Sequence, residues 1–319
     1  MAITCSSPRK EQRSFALSRS DSGVRNMQRR QALLANRMTE TKEEVSQMAA
    51  LANLAMFDKE GTAKYVLGSP HLKYACVREL YESLVVRLFN TAKQHAGTPR
   101  VLDLGAGEGS ATLPFLELGA HVTAVDISES QLASLAEKCG RFSERLQVRH
   151  EAISETFKRK QERYDVVVMN SFLHHIPDYL GTIQDALSLL QSAGQFFSFQ
   201  DPLRYDTLGR GTRVFSQAAY FSWRVFQGDY ARGLKTRIRR ARGIYLAGSK
   251  EDDAEYHVTR NGVDQESIVG LLRSRGFACE VIRYFSTQSW ALQVLGTSLG
   301  IENTFAIVAR RAGVRDISG

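Results

Sequence analysis

The sequence predicts an α/β protein: a doubly wound, seven-stranded, mostly parallel sheet with an N-terminal helical cap and a helical lid inserted after the fifth strand. Three observations predict it. An apolar run at 101–104 enters the turn Gly105-Ala106-Gly107-Glu108-Gly109, a helical stretch follows from Ser110 to a closing Gly119, and a second apolar run at 122–126 ends in Asp126. Residues 164–170 are apolar at almost every position, as a parallel strand buried on both faces must be. Between the fifth strand and the next helix lie about sixty residues, 203–262, too many for a plain connection in a compact domain.

The totals fit a soluble globular chain. Its 319 residues are 43% hydrophobic and 24% charged, enough for a large core. No apolar run approaches the roughly 18 residues that span a bilayer, so no integral membrane segment is expected. Cys5, Cys76, Cys139 and Cys279 are scattered without C-x-x-C spacing. That speaks against a zinc or iron–sulfur site, and no metal is expected. It suits thiols in a reducing, cytoplasmic setting. The net charge of +8 is concentrated: residues 204–242 hold ten basic side chains against Asp206 and Asp229. Such a stretch marks either an anionic partner or a solvated helical face.

Residues 1–25 are rich in Ser and Arg and poor in apolar groups, which reads as a disordered basic tail and also resembles an organelle transit peptide. Residues 26–97 read as the helical cap. Leu33, Leu34, Met38, Val45, Met48, Leu51 and Ala55 recur at three- and four-residue steps. Thr41 with Glu44 forms a capping box, and Pro70 suits the first turn of a helix running to about Lys93. These helices either cover the sheet's carboxyl edge or pack on its flank, with Tyr65 and His71 near the mouth of a ligand site.

The core, 98–202, carries the chemistry. Gly105 to Asp126 is 21 residues, close to the spacing of about 20 in a nucleotide-binding half, where glycines admit the ligand and the acid takes ribose hydroxyls. The dinucleotide pattern G-x-G-x-x-G is not met: the third glycine comes one position early and Ser110 stands sixth. Asp103 also lies inside the preceding strand, where a carboxylate suits an ammonium or sulfonium and repels a pyrophosphate. With these residues in view, D-L-G-x-G-x-G followed by V-D-I-S resembles the class I S-adenosylmethionine-dependent methyltransferases, over about residues 65–310. The resemblance implies a sheet closed by an antiparallel hairpin, so that the last strand lies between its neighbours. It implies S-adenosylmethionine as cofactor, with Asp103 and Gly105, Ala106, Gly107 and Gly109 at its amino-acid part. Asp126 and Ile127 would face the ribose, Glu151 and Ala152 the adenine, and Asn170 and Ser171 the methionine portion. Glu151 departs from the family's more usual Asp by one methylene.

Beyond the fourth strand, Leu173-His174-His175-Ile176-Pro177-Asp178 resembles the small-molecule and quinone or lipid branches of that family. Either His174 or His175 is a candidate general base, a group poised near neutral pH, and His174 is slightly favoured. Alignment and desolvation alone are the competing account. The N-P-P-Y motif of base- and glutamine-modifying relatives is absent, so nucleic acid is not expected as a partner. In the lid, 203–262, Phe215, Tyr220, Phe221, Trp223, Phe226 and Tyr230 mix with the basic residues and suit a flat or anionic acceptor, or form the insertion's own core. Residues 263–319 complete the sheet, with Asp264 capping a helix and Trp290 as a pocket wall. The expectation is methyl transfer to a small organic acceptor, aromatic or anionic, by a protein that could form a homodimer. The alternatives are a lipid, quinone or carrier-bound acceptor, or a relative that binds the cofactor without methylating.

Overall fold

The computed structural model describes residues 41–57, 69–226, 256–258 and 260–311. The basic tail, the cap residues before Thr41, Tyr65 and the second lid helix expected from Asp229 to about Arg242, with Arg237, Arg239 and Arg240, lie outside the described residues. So do the side chains of Tyr220, Phe221, Trp223, Phe226 and Tyr230. Two units divide the chain, residues 1–44 and 45–319. In the first, the Glu44 carboxylate accepts from Thr41 N at 2.7 Å and Thr41 Oγ1 accepts from Glu44 N at 3.2 Å. This reciprocal cap opens helix α1 (Lys42–Phe57).

The second unit holds a seven-stranded sheet. Its strands are β1 (Arg100–Leu104), β2 (His121–Asp126), β3 (Leu146–His150), β4 (Tyr164–Asn170), β5 (Leu190–Pro202), β6 (Phe277–Tyr284) and β7 (Thr304–Arg311). The order is β3-β2-β1-β4-β5-β7-β6. The first five run parallel, and β7 is antiparallel to both β5 and β6, the closing hairpin that the family resemblance implied. The order reverses between β1 and β4, which opens a crevice at the carboxyl edge there.

Strand periodicity sorts the core into two layers. Along β4, Val166 and Val168 face one side while Val167 and Met169 face the other, all fully buried. The first side packs against α3 (Ala75–Ala96), α4 (Thr112–Leu118) and α5 (Glu129–Lys138) through Leu88, Phe115, Leu116 and Leu135. The second packs against α7 (Tyr179–Leu187) and α9 (Gln265–Ser274) through Ile183, Ile268 and Leu272, with α6 (Ile153–Lys158) adding Phe157 at its margin. Ser128 caps α5 by accepting from Gln131 N, and Asp264 caps α9 by accepting from Glu266 N and Ser267 N.

The cap region differs from a single helix starting at Pro70. Tyr74 is extended (φ −104°, ψ 124°) and separates the short α2 (Pro70–Lys73) from α3. Its buried side chain accounts for the break: the Tyr74 hydroxyl donates to the Gln288 carbonyl at 2.6 Å, a contact no local pattern reveals. Helix α3 lies on a face of the sheet, whereas α2 carries His71 to the carboxyl edge.

The insertion leaves and rejoins the core at one place. Leu203 and Val263 form a parallel bridge, Val263 N donates to Pro202 O at 3.0 Å, and Tyr205 N donates to Asn261 O at 2.8 Å. Gly262 (φ +74°) permits this junction, because a Cβ there would stand 2.2 Å from the Leu203 carbonyl oxygen. Helix α8 (Arg210–Phe226) follows, and Phe215 meets Phe285 at 5.5 Å between ring centroids. Two members of the basic stretch are held locally. Arg204 bridges Asp206 and Asp264, each at 2.7 Å, and Arg213 donates to the Tyr205 carbonyl.

Candidate active site

The glycine turn joins β1 to α4 and is bound to the end of β2. Gly105 N and Ala106 N both donate to the Val125 carbonyl. Gly107 N and Ser128 N donate to the two oxygens of Asp126, each at 2.9 Å. The turn needs φ of +72°, +51° and +87° at Gly105, Gly107 and Gly109, which side-chain-bearing residues rarely adopt. Gly105 is also a close-approach point: a Cβ there would come within 2.1 Å of the Phe172 ring. Burial pushes the Asp126 carboxyl above its ordinary value, and the backbone donors of Ser128, Gly107 and Ile127 pull the other way.

Asp103 stands one strand over, fully buried, with Oδ2 accepting from Thr112 Oγ1 at 2.7 Å and Oδ1 without a partner. Burial pushes its pKa up to about 7, and the Asp126 charge adds to the rise against the opposing Thr112 bond. At the end of β4, Asn170 Nδ2 donates to Ser110 Oγ at 2.8 Å and lies 3.3 Å from His71 Nε2, while Asn170 Oδ1 has no partner. His71 is buried beside Tyr81 and Phe199, and burial lowers its pKa to about 4, so it is a neutral imidazole at pH 7. Ser171 takes a positive φ of +53° and donates its N–H to the Phe199 carbonyl.

These positions suit a cationic amino-acid ligand. Buried acceptors without partners are costly unless something supplies a donor. Asp103 Oδ1 and Asn170 Oδ1 are two of them, linked through the Ser110–Thr112 turn of chain. Glu151 is placed differently. Its N–H donates to the Asp126 carbonyl, so its backbone adjoins the ribose-side acid. Its carboxylate is already engaged by Thr156 Oγ1 (2.7 Å) and Arg159 Nη2 (2.8 Å). Ala152 is the exposed residue preceding α6, and the Ile127 carbonyl lies 3.0 Å from His150 Nε2.

On the other side of the crevice, Leu173–His175 form a 3-10 turn after β4. His174 is buried, and His175 is half-buried with its ring 4.0 Å from that of His174. His174 Nδ1 lies 2.8 Å from Asp201 Oδ1, which also accepts the His174 backbone N–H at 3.1 Å. Burial lowers the His174 pKa to about 3, the nearby His257 adding to the fall. Burial raises that of Asp201 to about 7, against the His174 N–H bond and the charges of His175 and His257. His257 donates its backbone N–H to the His174 carbonyl at 2.8 Å, and its Nε2 lies 2.9 Å from the Ile176 carbonyl.

Sequence reasoning missed Asp201, His257, Thr112 and Phe172. Asp201 had a usable signal, an acid at the carboxyl end of a parallel strand beside β4. His257 had none, since the chain returns it from within the insertion. Trp290, expected as a pocket wall, is instead 67% exposed on α10 (Trp290–Ser298). A cavity of about 230 Å³ lies behind that helix, lined by Cys76, Leu80, Tyr284, Phe285 and Ile301, and Trp290 is not part of its wall. The correction is one of helical phase: Gln293 and Gly296 are the buried positions of α10.

Comparison with known proteins gives the same direction. The family described as "Methyltransferase domain" matches residues 74–282. The ubiquinone biosynthesis O-methyltransferase of Aromatoleum aromaticum is 30% identical over 98 residues, 31% of this chain and 42% of that protein. The protein of the same name from Xanthomonas campestris is 27% identical over 156 residues, 48% of this chain and 59% of that one. The chain thus spans about half the length of the curated relatives it matches. Among solved structures, the magnesium protoporphyrin IX methyltransferase of Synechocystis with bound S-adenosylhomocysteine is 14% identical, with a TM-score of 0.49 over 83% of this chain and 100% of that one. The 1,6-didemethyltoxoflavin-N1-methyltransferase of Burkholderia thailandensis is 22% identical, with a TM-score of 0.42 over 78% and 86%. The family match covers more than half of the chain and contains the whole crevice-forming run from β1 to β5, so this chain belongs to the methyltransferase-domain family, the S-adenosylmethionine-dependent methyltransferases of class I.

Proposed function

We propose that the chain transfers a methyl group from S-adenosylmethionine to a small organic acceptor. One observation carries the reading: two carboxylates, the fully buried Asp103 and the half-buried Asp126, stand on adjacent parallel strands around a glycine turn and feel each other's charge. That arrangement favours a cation and opposes a pyrophosphate. The bound cofactor would supply an electrophilic methyl group on a positively charged sulfur. Gly105, Ala106, Gly107 and Gly109, with Asp103, hold its amino-acid part. Asp126 and Ile127 take the ribose, and Asn170 and Ser171 face the methionine portion. Glu151 and Ala152 serve the adenine, the Glu151 carboxylate after release from Arg159 or its backbone without it.

His174 or His175 accepts the proton of the acceptor. His174 supports this role by its place at the carboxyl edge, where its Nδ1 is held 2.8 Å from Asp201 Oδ1. The cap, 26–97, and the lid, 203–262, exclude water and align the acceptor behind the sulfur. The names of the curated relatives support an oxygen acceptor of quinone type. Calorimetry should show heat with S-adenosylmethionine and S-adenosylhomocysteine and none with a nicotinamide dinucleotide. The reverse pattern would end the reading. Labelled methyl offered with soluble phenols, and separately with quinols in vesicles, should separate a small soluble acceptor from a lipid-borne one. Cofactor binding with no methyl transferred to either set favours a binding protein on the same fold.

A further inference from the structure

Asp201 stands at the end of β5, where three local costs coincide. The register between β5 and β7 shifts between Phe199 and Asp201. The residue between them, Gln200, takes a φ of +68° without being glycine. It is held there by Tyr284, whose hydroxyl accepts from Gln200 N at 3.0 Å, and by Ser286, which accepts from Gln200 Nε2. The third cost is Asp201 itself, a fully buried carboxylate with Oδ2 lacking any hydrogen-bond partner. Irregularities of this kind re-aim side chains, and strain persists where the surroundings over-determine it. Here the re-aimed group is the Asp201 carboxylate, and its target is the His174 ring at 2.8 Å.

We propose that Asp201 is a positioning residue that fixes the His174 imidazole with its proton on Nδ1, leaving Nε2 as the atom that takes the acceptor's proton. The inference rests on the methyl-transfer reading for its use, but the tautomer is a property of the protein alone. Its geometry follows from the shared oxygen. Oδ1 already accepts the His174 backbone N–H, so it meets Nδ1 as an acceptor as well. A plain structural cap for one backbone N–H would need no buried charge. A carboxylate does more, because it stabilises the imidazolium that forms as Nε2 is protonated. The step balances: the acceptor's X–H proton passes to Nε2, X bonds to the methyl carbon, and the C–S electron pair stays on sulfur, which becomes neutral. The imidazolium then returns its proton to water.

Among the described residues, the charges around the pair are few. His175 and His257 face Asp201, Arg260 faces His257, and the Tyr284 hydroxyl lies near the carboxylate. His257 clamps the turn from the opposite side, so the ring is fixed at both its backbone and its Nδ1.

The test is nitrogen NMR of the histidine rings in the full chain without cofactor, with His174→Gln used to assign the His174 signal. Wild type should show Nδ1 protonated and Nε2 bare at pH 7. Asp201→Ala should give averaged nitrogen shifts from both tautomers, and Asp201→Glu should restore most of the wild-type pattern. A wild-type ring protonated on Nε2, or an Asp201→Ala spectrum identical to wild type, overturns the proposal. If Asp201→Ala does not fold, the wild-type and Asp201→Glu spectra still decide it. A second readout is turnover with S-adenosylmethionine and a phenol panel, which should fall roughly 100-fold or more in Asp201→Ala at unchanged cofactor affinity. Unchanged turnover overturns the proposal. Wild type failing to bind S-adenosylmethionine refutes the methyl-transfer reading and leaves the tautomer result standing.

Discussion

Asp103 and Asp201 sit at opposite sides of the same crevice in nearly identical circumstances. Each is fully buried, each has a pKa pushed up to about 7, and each has one oxygen with a partner and one without. They differ in what the bonded oxygen touches. Asp103 holds the hydroxyl of Thr112, which does not titrate in any accessible range, so that carboxylate is suited to pairing with a cationic ligand. Asp201 holds an imidazole, which can gain a proton on its far nitrogen and so makes the pair suited to proton movement. Burial alone therefore does not assign a role to a carboxylate; the chemistry of the one side chain it touches does.

The largest effect that would sharpen this contrast is on turnover. His174→Gln should slow methyl transfer by about 100- to 10,000-fold while leaving cofactor affinity within a factor of two. Steady-state rates with labelled methyl and parallel calorimetry would check it. Full activity in His174→Gln would move the proton-accepting role to His175 or leave alignment as the whole account.

Next in size is the glycine turn. Gly105→Ala should destabilise the fold by about 2–4 kcal/mol, the sum of a left-handed backbone cost and a steric one against Phe172. Urea unfolding measures the loss. Adding Phe172→Ala should recover the steric part and leave the backbone part of about 1–2 kcal/mol. A double variant no more stable than Gly105→Ala would mean that the ring is not what limits this position.

Asp126→Ala tests the donor side itself, with an expected loss of about 1–3 kcal/mol in S-adenosylmethionine affinity. Unchanged affinity would remove the ribose assignment.

The smallest effect is in pH. A cationic ligand favours ionised Asp103, whose pKa is about 7 in the free protein. Below pH 7 binding must expel that proton, so affinity should rise with pH up to about 7 and flatten above it. Calorimetry at pH 6 in two buffers of different ionisation heat should show a proton released in wild type and less in Asp103→Asn. Proton uptake, or an affinity that does not vary with pH, would show that the two carboxylates are not distinguished in this way.

Much of the donor side was legible from residues alone because its parts are close in sequence. Gly107 and Asp126 are 19 residues apart and joined by a single helix, so a glycine pattern and one spacing identify the bond between them. The burial of β4 on both faces was legible from its continuous apolar run, and the helix starts at Thr41 and Asp264 from their caps. The acceptor side was not. Asp201 is 27 residues from His174, and His257 is 83 further on from that histidine, with the insertion between. Nothing in a run of Leu-His-His states which ring turns inward. Tyr74 and Trp290 were misread for the same reason: one leaves its helix to reach Gln288, and the other falls on the outer face of α10.

The amino-acid sequence by itself determined the local periods and boundaries: where a glycine turn falls, where a strand is covered on both faces, where a helix begins. These depend on each residue and its near neighbours. The tertiary structure decided which remote side chains share a proton, because that depends on strand register to within one residue. A shift of one position in β5 would turn Asp201 away from His174.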